Sequence, residues 1–104
     1  MRSQNDAIAS ARAFINLLKA HGLRVSAAFL FGSHARKAAV EESDIDVAVV
    51  SPDFTGFRFD DLGLIAKSKL HSDADLEVIP LSESAYNAGD PFVKEIVNTG
   101  LKIA

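Results

Sequence analysis

The sequence feature that most constrains the fold is a pair of apolar runs joined by a short polar stretch, within residues 28–50. The first run ends in Gly32 and Ser33, and the second opens, after ten intervening residues, with Asp44 and Asp46. Short apolar runs bounded by glycine and polar residues are typical of strands buried in a sheet. The stretch therefore predicts two strands, joined by a turn and a short helix, with two carboxylates at the start of the second strand.

The order of residues in the second strand predicts which side chains share a face. Successive side chains of a strand point to opposite faces. We therefore expect Asp44 and Asp46 to point to one face, and Ile45, Val47 and Val49 to pack into an apolar layer on the other. The first strand, predicted over 25–31, is apolar on both faces, which indicates cover on both sides.

Periodicity and capping residues predict the remaining elements. Helices are expected from about Asn5 to His21, over 33–39, from Asp60 or Asp61 to about Leu70, and from Asp90-Pro91 to Gly100. A third strand is expected from Asp75 to Leu81, ending near Pro80, then an irregular segment over 82–89 and a short edge strand within 101–104. The prediction is one α/β (α+β) domain, residues 1–104, with a small mixed sheet of three or four strands flanked by helices.

Composition excludes several classes of protein. The chain has 104 residues, a net charge of −3 and no cysteine, so disulfides and thiolate metal sites are excluded. It has neither a signal-peptide start nor an apolar run near the roughly 20 residues of a membrane span. We expect a cytoplasmic protein without membrane contact. An acidic chain is also a poor direct ligand for nucleic acid, whose binding relies on many phosphate contacts.

The turn after the first strand has the features of a phosphate-binding segment. Gly32 and Ser33 would offer backbone amides and a hydroxyl to the β- and γ-phosphates of a nucleoside triphosphate. Arg36, one turn later, could neutralise phosphate charge. His34 lies in the same turn, but a lone histidine there is expected to be exposed, and we assign it no role.

The paired aspartates predict a site for hard divalent cations. Mg²⁺ prefers oxygen ligands and usually takes one or two carboxylates together with substrate phosphates. A site for two ions needs a third carboxylate from a neighbouring strand. We favour Glu77, which would bind the second ion and help to deprotonate an acceptor hydroxyl. Asp75 remains the alternative, as does a site built on Asp44 and Asp46 alone.

These motifs resemble a known superfamily. Gly32-Ser33, ten intervening residues and Asp44-x-Asp46 resemble the signature of the nucleotidyltransferases that include DNA polymerase β. Residues 51–61 and 91–100 resemble segments of its small bacterial and archaeal members, the minimal nucleotidyltransferases (MNT). The resemblance implies a polymerase β-like fold, in which Ser33 contacts phosphate, Asp44 and Asp46 bind Mg²⁺, and Glu77 is the third carboxylate.

The resemblance also implies an activity and a partner. Family members transfer a nucleoside monophosphate from a triphosphate to a hydroxyl and release pyrophosphate. Many minimal members pair with a helical HEPN protein, and some are antitoxins that adenylylate a tyrosine of a HEPN toxin. We therefore expect an enzyme that uses two Mg²⁺ ions to transfer AMP from ATP to a HEPN-type partner protein. The alternative is a non-catalytic, nucleotide-binding antitoxin that acts by contact alone.

Two other functions are less favoured. A nucleotidyltransferase for small molecules would need a further domain to bind its acceptor, and a purely structural domain would not need all three carboxylates.

The aromatic segment 54–59 contains three phenylalanines. It could either pack onto the core or form an exposed patch that contacts the partner.

Overall fold

The computed structural model describes residues 3–35 and 44–104. In these ranges the helices are α1 (Gln4–Ala20), α2 (Arg58–Leu70), α3 (Glu83–Ala88) and α4 (Pro91–Thr99). The strands are β1 (Ala27–Phe31), β2 (Ile45–Ser51), β3 (Leu76–Ser82) and β4 (Leu101–Lys102). None of the helices in these ranges is long and apolar enough to cross a membrane.

The strands form one mixed sheet in the order β3-β2-β1-β4. β1 pairs antiparallel with β2 and with β4, while β2 and β3 are parallel. This architecture confirms the predicted α+β fold and the short edge strand near the C-terminus. Of the helix predicted over 33–39, the described residues 33–35 form a turn, and the rest lies outside the described residues.

One face of the sheet, here called the helix face, packs against α1 and α2. Its larger core combines the inward side of α1 with alternate residues of the strands. The strand residues in this core are Ala28, Leu30, Ile45, Val47, Val49, Leu76 and Val78. The parity prediction for β2 is confirmed on this face, because Ile45, Val47 and Val49 are fully buried.

The opposite face, here called the carboxylate face, has a smaller core. Its buried residues are Ala27, Phe29, Ala48, Val50 and Ile96, with partly buried residues around them. α3 and α4 cover this face beside β1, β2 and β3. The apolar cover is incomplete at the start of β2, where Asp46 has the parity of Ala48 and Val50.

The segment predicted to be irregular is ordered. β3 runs through Pro80 to Ser82, and α3 then begins with the Ser82 hydroxyl accepting a hydrogen bond from the Ala85 amide at 3.1 Å. Proline is tolerated in β3 because this strand lies at an edge of the sheet. The prediction missed α3 because a six-residue helix with no buried residue carries little apolar periodicity.

α2 begins earlier than predicted, and its apolar residues are only partly covered. The helix starts at Arg58, and Phe57 precedes it without a side-chain cap. Asp61, predicted as a possible cap, lies inside the helix. Ile65 is buried, but Leu70 is 82% exposed. Helical periodicity identifies an apolar side, but it does not establish that another element covers the whole of it.

Candidate functional site

The turn after β1 brings its backbone against a carboxylate of β2. Gly32 has a φ of 74°, a left-handed conformation that glycine adopts without strain. A Cβ atom added to Gly32 would overlap the Asp46 carboxylate. The glycine is therefore needed both for its backbone conformation and for this close approach. The two halves of the motif, separated in sequence, meet at this contact.

Sheet register then places a second carboxylate beside the first. Asp46 pairs with Phe31 of β1 and, on its other side, with Glu77 of β3. Paired residues of neighbouring strands present their side chains on the same face. Asp46 is half-buried and Glu77 is exposed. Glu77 is thus the direct lateral neighbour of Asp46 on the carboxylate face.

Two further aspartates precede these strands. The Ile45 amide donates to the Asp75 carbonyl at 2.8 Å, which aligns Asp44 with Asp75 just ahead of the first register pair. Both residues are exposed. The fold therefore places four acidic residues at the same end of β2 and β3, and both candidates for the third carboxylate lie in β3 or directly before it, on the strand that pairs with β2.

The described residues do not form a ready-made cage for a metal ion. Within residues 3–35 and 44–104, no group of three or more His, Cys, Asp or Glu side chains is arranged to hold one. Mg²⁺ usually takes one or two carboxylates and completes its shell with water and substrate phosphates. Asp44 and Asp46 fit that mode of binding, in which the phosphates provide the other ligands.

α1 supports the turn in a way that the sequence did not indicate. The Gln4 Nε2 atom donates to the His34 carbonyl at 3.0 Å and to the Ala35 carbonyl at 3.2 Å. In a trans peptide the carbonyl and the next amide point in opposite directions. The Ala35 amide therefore points away from Gln4. No local pattern links residues that are 30 positions apart.

The remaining predicted residues of the turn have different outcomes. Ser33 lies in the turn and is half-buried. His34 is 2% exposed, so the expectation that it would be an exposed side chain was wrong. Its burial depends on the tertiary structure around the turn, which a polar residue type in a polar stretch of sequence does not reveal. Arg36 lies outside the described residues.

The phenylalanine loop, residues 54–59, combines both expected behaviours. Phe54 is 5% exposed, whereas Phe57 and Phe59 are 72% and 90% exposed. The buried Asp61 carboxylate accepts from the Thr55 amide at 2.7 Å, the Thr55 hydroxyl at 3.0 Å and the Gly56 amide at 2.9 Å. These hydrogen bonds fix the backbone that leads into α2, where the Phe57 ring, just before the helix, and the Phe59 ring, in its first turn, face solvent.

An ion pair lies at the opposite end of β2 from the carboxylates. Arg24 Nη2 lies 2.6 Å from the Asp53 Oδ1 atom, and the Arg24 amide donates to Oδ2 at 2.9 Å. These hydrogen bonds hold the pKa of Asp53 below its usual value. The pair joins the approach to β1 with the turn that follows β2.

The turn and the carboxylates together are features of a known class of protein. Residues 13–104 match the family described as Polymerase beta, Nucleotidyltransferase, so the chain belongs to that family. This match confirms the resemblance predicted from Gly32-Ser33 and Asp44-x-Asp46. No curated protein sequence matches the chain at a significant level.

Solved structures show the same fold. A candidate nucleotidyltransferase from Sulfolobus solfataricus is 20% identical, with a TM-score of 0.66 over 82% of this chain and 75% of the other. A toxin–antitoxin structure with AMP-PNP is 26% identical, with a TM-score of 0.62 over 89% and 71%. A mutant toxin–antitoxin structure, MntA-HpeT, is 24% identical, with a TM-score of 0.60 over 89% and 71%. The chain is therefore similar to toxin–antitoxin proteins with a nucleotidyltransferase fold.

Proposed function

We propose that the protein is a Mg²⁺-dependent nucleotidyltransferase that transfers AMP from ATP to a hydroxyl of a partner protein. The observation that carries the proposal is the contact between the Gly32 backbone and the Asp46 carboxylate. It joins a turn suited to phosphate with a carboxylate suited to a divalent cation. A triphosphate could span both, with its terminal phosphates on the turn and its α-phosphate at the carboxylates.

The residues would divide the work of binding. The Gly32-Ser33 turn and the Ala35 amide would hold the β- and γ-phosphates, and Arg36 would add positive charge there by its place in the sequence. Asp44 and Asp46 would hold Mg²⁺, and Glu77 would complete a site for a second ion. When bound, Mg²⁺ neutralises phosphate charge and lowers the energy of the transition state.

The transfer step forms one bond and breaks one. The acceptor oxygen bonds to the α-phosphorus, while the bond from that phosphorus to the oxygen that bridges to the β-phosphate breaks. Pyrophosphate leaves, and the hydroxyl proton passes to the Glu77 carboxylate and then to water. Glu77 suits this role because it lies beside Asp46 and is open to solvent.

The proposed partner is a toxin of the helical HEPN type. The supporting observation is the 26% identity to a toxin–antitoxin structure with AMP-PNP, which also makes ATP the first nucleotide to test. In this proposal the chain is the antitoxin, and the acceptor is a hydroxyl on the toxin. The HEPN class of the partner comes from the family resemblance of the sequence.

Radioactive labelling tests the reaction. The protein is incubated with Mg²⁺ and α-labelled ATP, with and without the product of its neighbouring gene. We expect label on the partner, and none when γ-labelled ATP is used, because nucleotidyl transfer retains only the α-phosphate. Asp44→Asn and Asp46→Asn should each reduce the label to background, since they remove metal-binding charge.

Matched controls separate the chemistry from folding. Asp60→Asn removes one negative charge from an exposed position of α2 and should leave the labelling unchanged. EDTA added before the reaction should prevent labelling by the unsubstituted protein, and an excess of Mg²⁺ should restore the labelling. Label that persists in Asp46→Asn, or that appears equally from γ-labelled ATP, would contradict the proposed transfer.

A second candidate function is a non-catalytic, nucleotide-binding antitoxin that acts by contact alone. The observation that favours it is the phenylalanine loop, where Phe57 and Phe59 are exposed on a fixed backbone. Exposed aromatic rings are frequent anchors of protein interfaces. A stable complex with no label from any of the four nucleoside triphosphates, together with toxin neutralisation by Asp44→Asn, would support this function.

Substitution in the phenylalanine loop tests the contact itself. Phe57→Ser should weaken the complex without unfolding the domain, because the ring is 72% exposed. The matched control is Leu64→Ser, which removes another exposed apolar side chain, 48% exposed, from α2 outside the loop. Calorimetric titration of the partner measures both. Equal affinity for Phe57→Ser and the unsubstituted protein would place the interface elsewhere.

A further inference from the structure

A cleft adjoins the Gly32 turn on the side of α4. Its volume is about 210 Å³, and its lining residues are Phe31, Gly32, Phe92, Glu95, Ile96 and Thr99. Pockets for drug-sized ligands occupy roughly 300–1,000 Å³. The cleft is therefore sized for one flat ring system and is too small for a whole nucleotide. Phe31, which pairs with Asp46, lines the cleft together with Gly32, so the cleft adjoins the carboxylate proposed to lie at the α-phosphate, the phosphate that bears the ribose and the base.

The apolar walls of the cleft suit an aromatic ring. Phe31 and Phe92 meet edge to face, with ring centroids 6.3 Å apart and an angle of 90° between the rings. Phe92 is 50% exposed, so part of its ring is open to a ligand. Stacking of a nucleobase on an aromatic side chain is a general source of affinity for nucleotides.

The polar atoms of the cleft select for a hydrogen-bond donor. The Thr99 hydroxyl already donates to the Glu95 carbonyl at 2.7 Å, so its oxygen is left as an acceptor. The Glu95 side chain is at an exposed position, and its carboxylate form can accept hydrogen bonds but cannot donate them. A base with an exocyclic amine would satisfy these acceptors. Uracil, which presents two carbonyl oxygens, would place acceptors against them.

We propose that this cleft binds the nucleobase of the substrate triphosphate and favours a base that carries an exocyclic amine. The inference rests on the proposed function, because it takes the phosphates to lie on the Gly32-Ser33 turn. Phe92 stacks on the base, and Glu95 accepts from the amine. Both residues determine which nucleotide binds, while the carboxylates of β2 determine the reaction.

The test compares ATP with inorganic tripolyphosphate, which lacks a base. Calorimetry in the presence of Mg²⁺ gives the affinity of each for the full chain. We expect Phe92→Ala to weaken ATP binding about tenfold or more and to leave tripolyphosphate binding unchanged. The matched control is Phe59→Ala, which removes an exposed ring from α2 and should change neither affinity.

A second variant tests the selectivity independently of the ring. The unsubstituted protein should bind ATP at least about tenfold more tightly than UTP, and Glu95→Gln should reduce that ratio several-fold. Glu95 is exposed, so its substitution is not expected to disturb folding.

Each result bears on the inference. ATP binding that is unaffected by Phe92→Ala, or equal weakening of ATP and tripolyphosphate, would overturn it while leaving the proposed nucleotidyl transfer in place. A ratio of ATP to UTP affinity that is unchanged in Glu95→Gln would overturn the role of the amine. Failure of the unsubstituted protein to bind either ATP or tripolyphosphate would overturn both the cleft and the proposed function.

Discussion

The two faces of the sheet differ in what fills them. On the helix face, the alternate residues of β1, β2 and β3 that enter the core are all apolar and join α1 and α2 there. On the carboxylate face, a smaller apolar cluster stops at Ala48, and the next residue of the same parity is Asp46. Burial on one face stabilises the domain, so the other face can hold charges that contribute little to stability.

β2 shows this division residue by residue. Ile45 and Asp46 are neighbours in sequence, yet one is fully buried under the helices and the other contacts the Gly32 turn. Adjacent substitutions should therefore affect different properties, one the free energy of unfolding and the other the chemistry.

The largest expected contrast is between Ile45→Ala and Asp46→Asn. Ile45→Ala should lower the free energy of unfolding by about 2–5 kcal/mol, because it leaves a cavity in the core. Asp46→Asn should change it by about 1 kcal/mol or less while abolishing nucleotidyl transfer. Urea unfolding and labelling of the partner measure the two effects. Equal destabilisation by both variants would mean that stability does not depend mainly on the helix face.

The next contrast compares two glycines with positive φ. Gly32 and Gly56 have φ of 74° and 92°, so alanine should cost each position roughly 1–2 kcal/mol of backbone strain. Only at Gly32 would the new Cβ meet another atom, the Asp46 carboxylate, since at Gly56 nothing lies within 4 Å. Gly32→Ala should therefore destabilise more, by roughly 1 kcal/mol or more beyond Gly56→Ala.

Binding of Mg²⁺ and ATP gives the second measurement for this pair. Displacement of the Asp46 carboxylate should weaken the affinity of Gly32→Ala by about tenfold or more, since the metal ligand is misplaced. Gly56→Ala should retain the original affinity. If both variants bind alike, the contact between Gly32 and Asp46 has no part in the site.

The contrast between the faces also explains what could be predicted from the sequence. Strand parity predicted that Asp46 would point to the face opposite to that of Val47 and Val49, because alternation is a local property of every strand. The Asp90 cap of α4 was predicted from another local property, the residue type that precedes a helix. Its Oδ1 atom accepts from the Val93 amide at 2.9 Å. Local rules are sufficient where the partner atoms are a few residues apart.

The features that were missed depend on distant partners. Burial of His34 and the hydrogen bonds of Gln4 need α1 to lie beside the turn, which no local pattern specifies. Asp60 or Asp61 was predicted to cap α2, but both lie inside the helix, and the Asp61 carboxylate binds the preceding loop from there. Exposure of Leu70 could not be predicted, because it depends on whether another element covers that end of α2.

Gln4 provides a smaller test, because it supports the site from the helix face. Gln4→Leu removes two hydrogen bonds to carbonyls of the turn and should lower the free energy of unfolding by about 1 kcal/mol. It should also weaken ATP binding several-fold, since the Ala35 amide loses its fixed direction. The matched control is Asn16→Leu, an exposed amide on the same helix, which should leave binding unchanged.

If Gln4→Leu and Asn16→Leu weaken ATP binding equally, Gln4 acts only through the stability of α1. If Gln4→Leu lowers stability but not ATP affinity, the turn keeps its conformation without the two hydrogen bonds. Calorimetry at a temperature where both variants are folded distinguishes these results.

The smallest expected effect concerns the Arg24–Asp53 pair, away from the carboxylates. The pKa of Asp53 is lowered by its hydrogen bonds to Arg24, so the ionised form stabilises the folded state. That contribution is present above the unfolded-state pKa of about 3.9 and is lost as the pH falls through the lower folded-state pKa. Asp53→Asn should therefore slightly lower the thermal midpoint at pH 7, and the difference should shrink at acidic pH.

Salt provides the control for this pair. The side chain of Arg24 is 72% exposed, so added salt should reduce the difference between Asp53→Asn and the unsubstituted protein at pH 7. A difference that is independent of both pH and salt would mean that packing of the turn, rather than charge, is responsible.

Pro80 in the edge strand limits how other chains can join the sheet. The ladder from β2 proceeds in two-residue steps from the bond between the Ile45 amide and the Asp75 carbonyl. Even-numbered residues of β3 therefore turn their backbone groups outward, and at Pro80 the outward amide is missing. An incoming strand could not complete its hydrogen bonds there. This edge thus discourages aggregation through sheet extension, even though the chain presents phenylalanine rings to solvent on α2 and the loop before it.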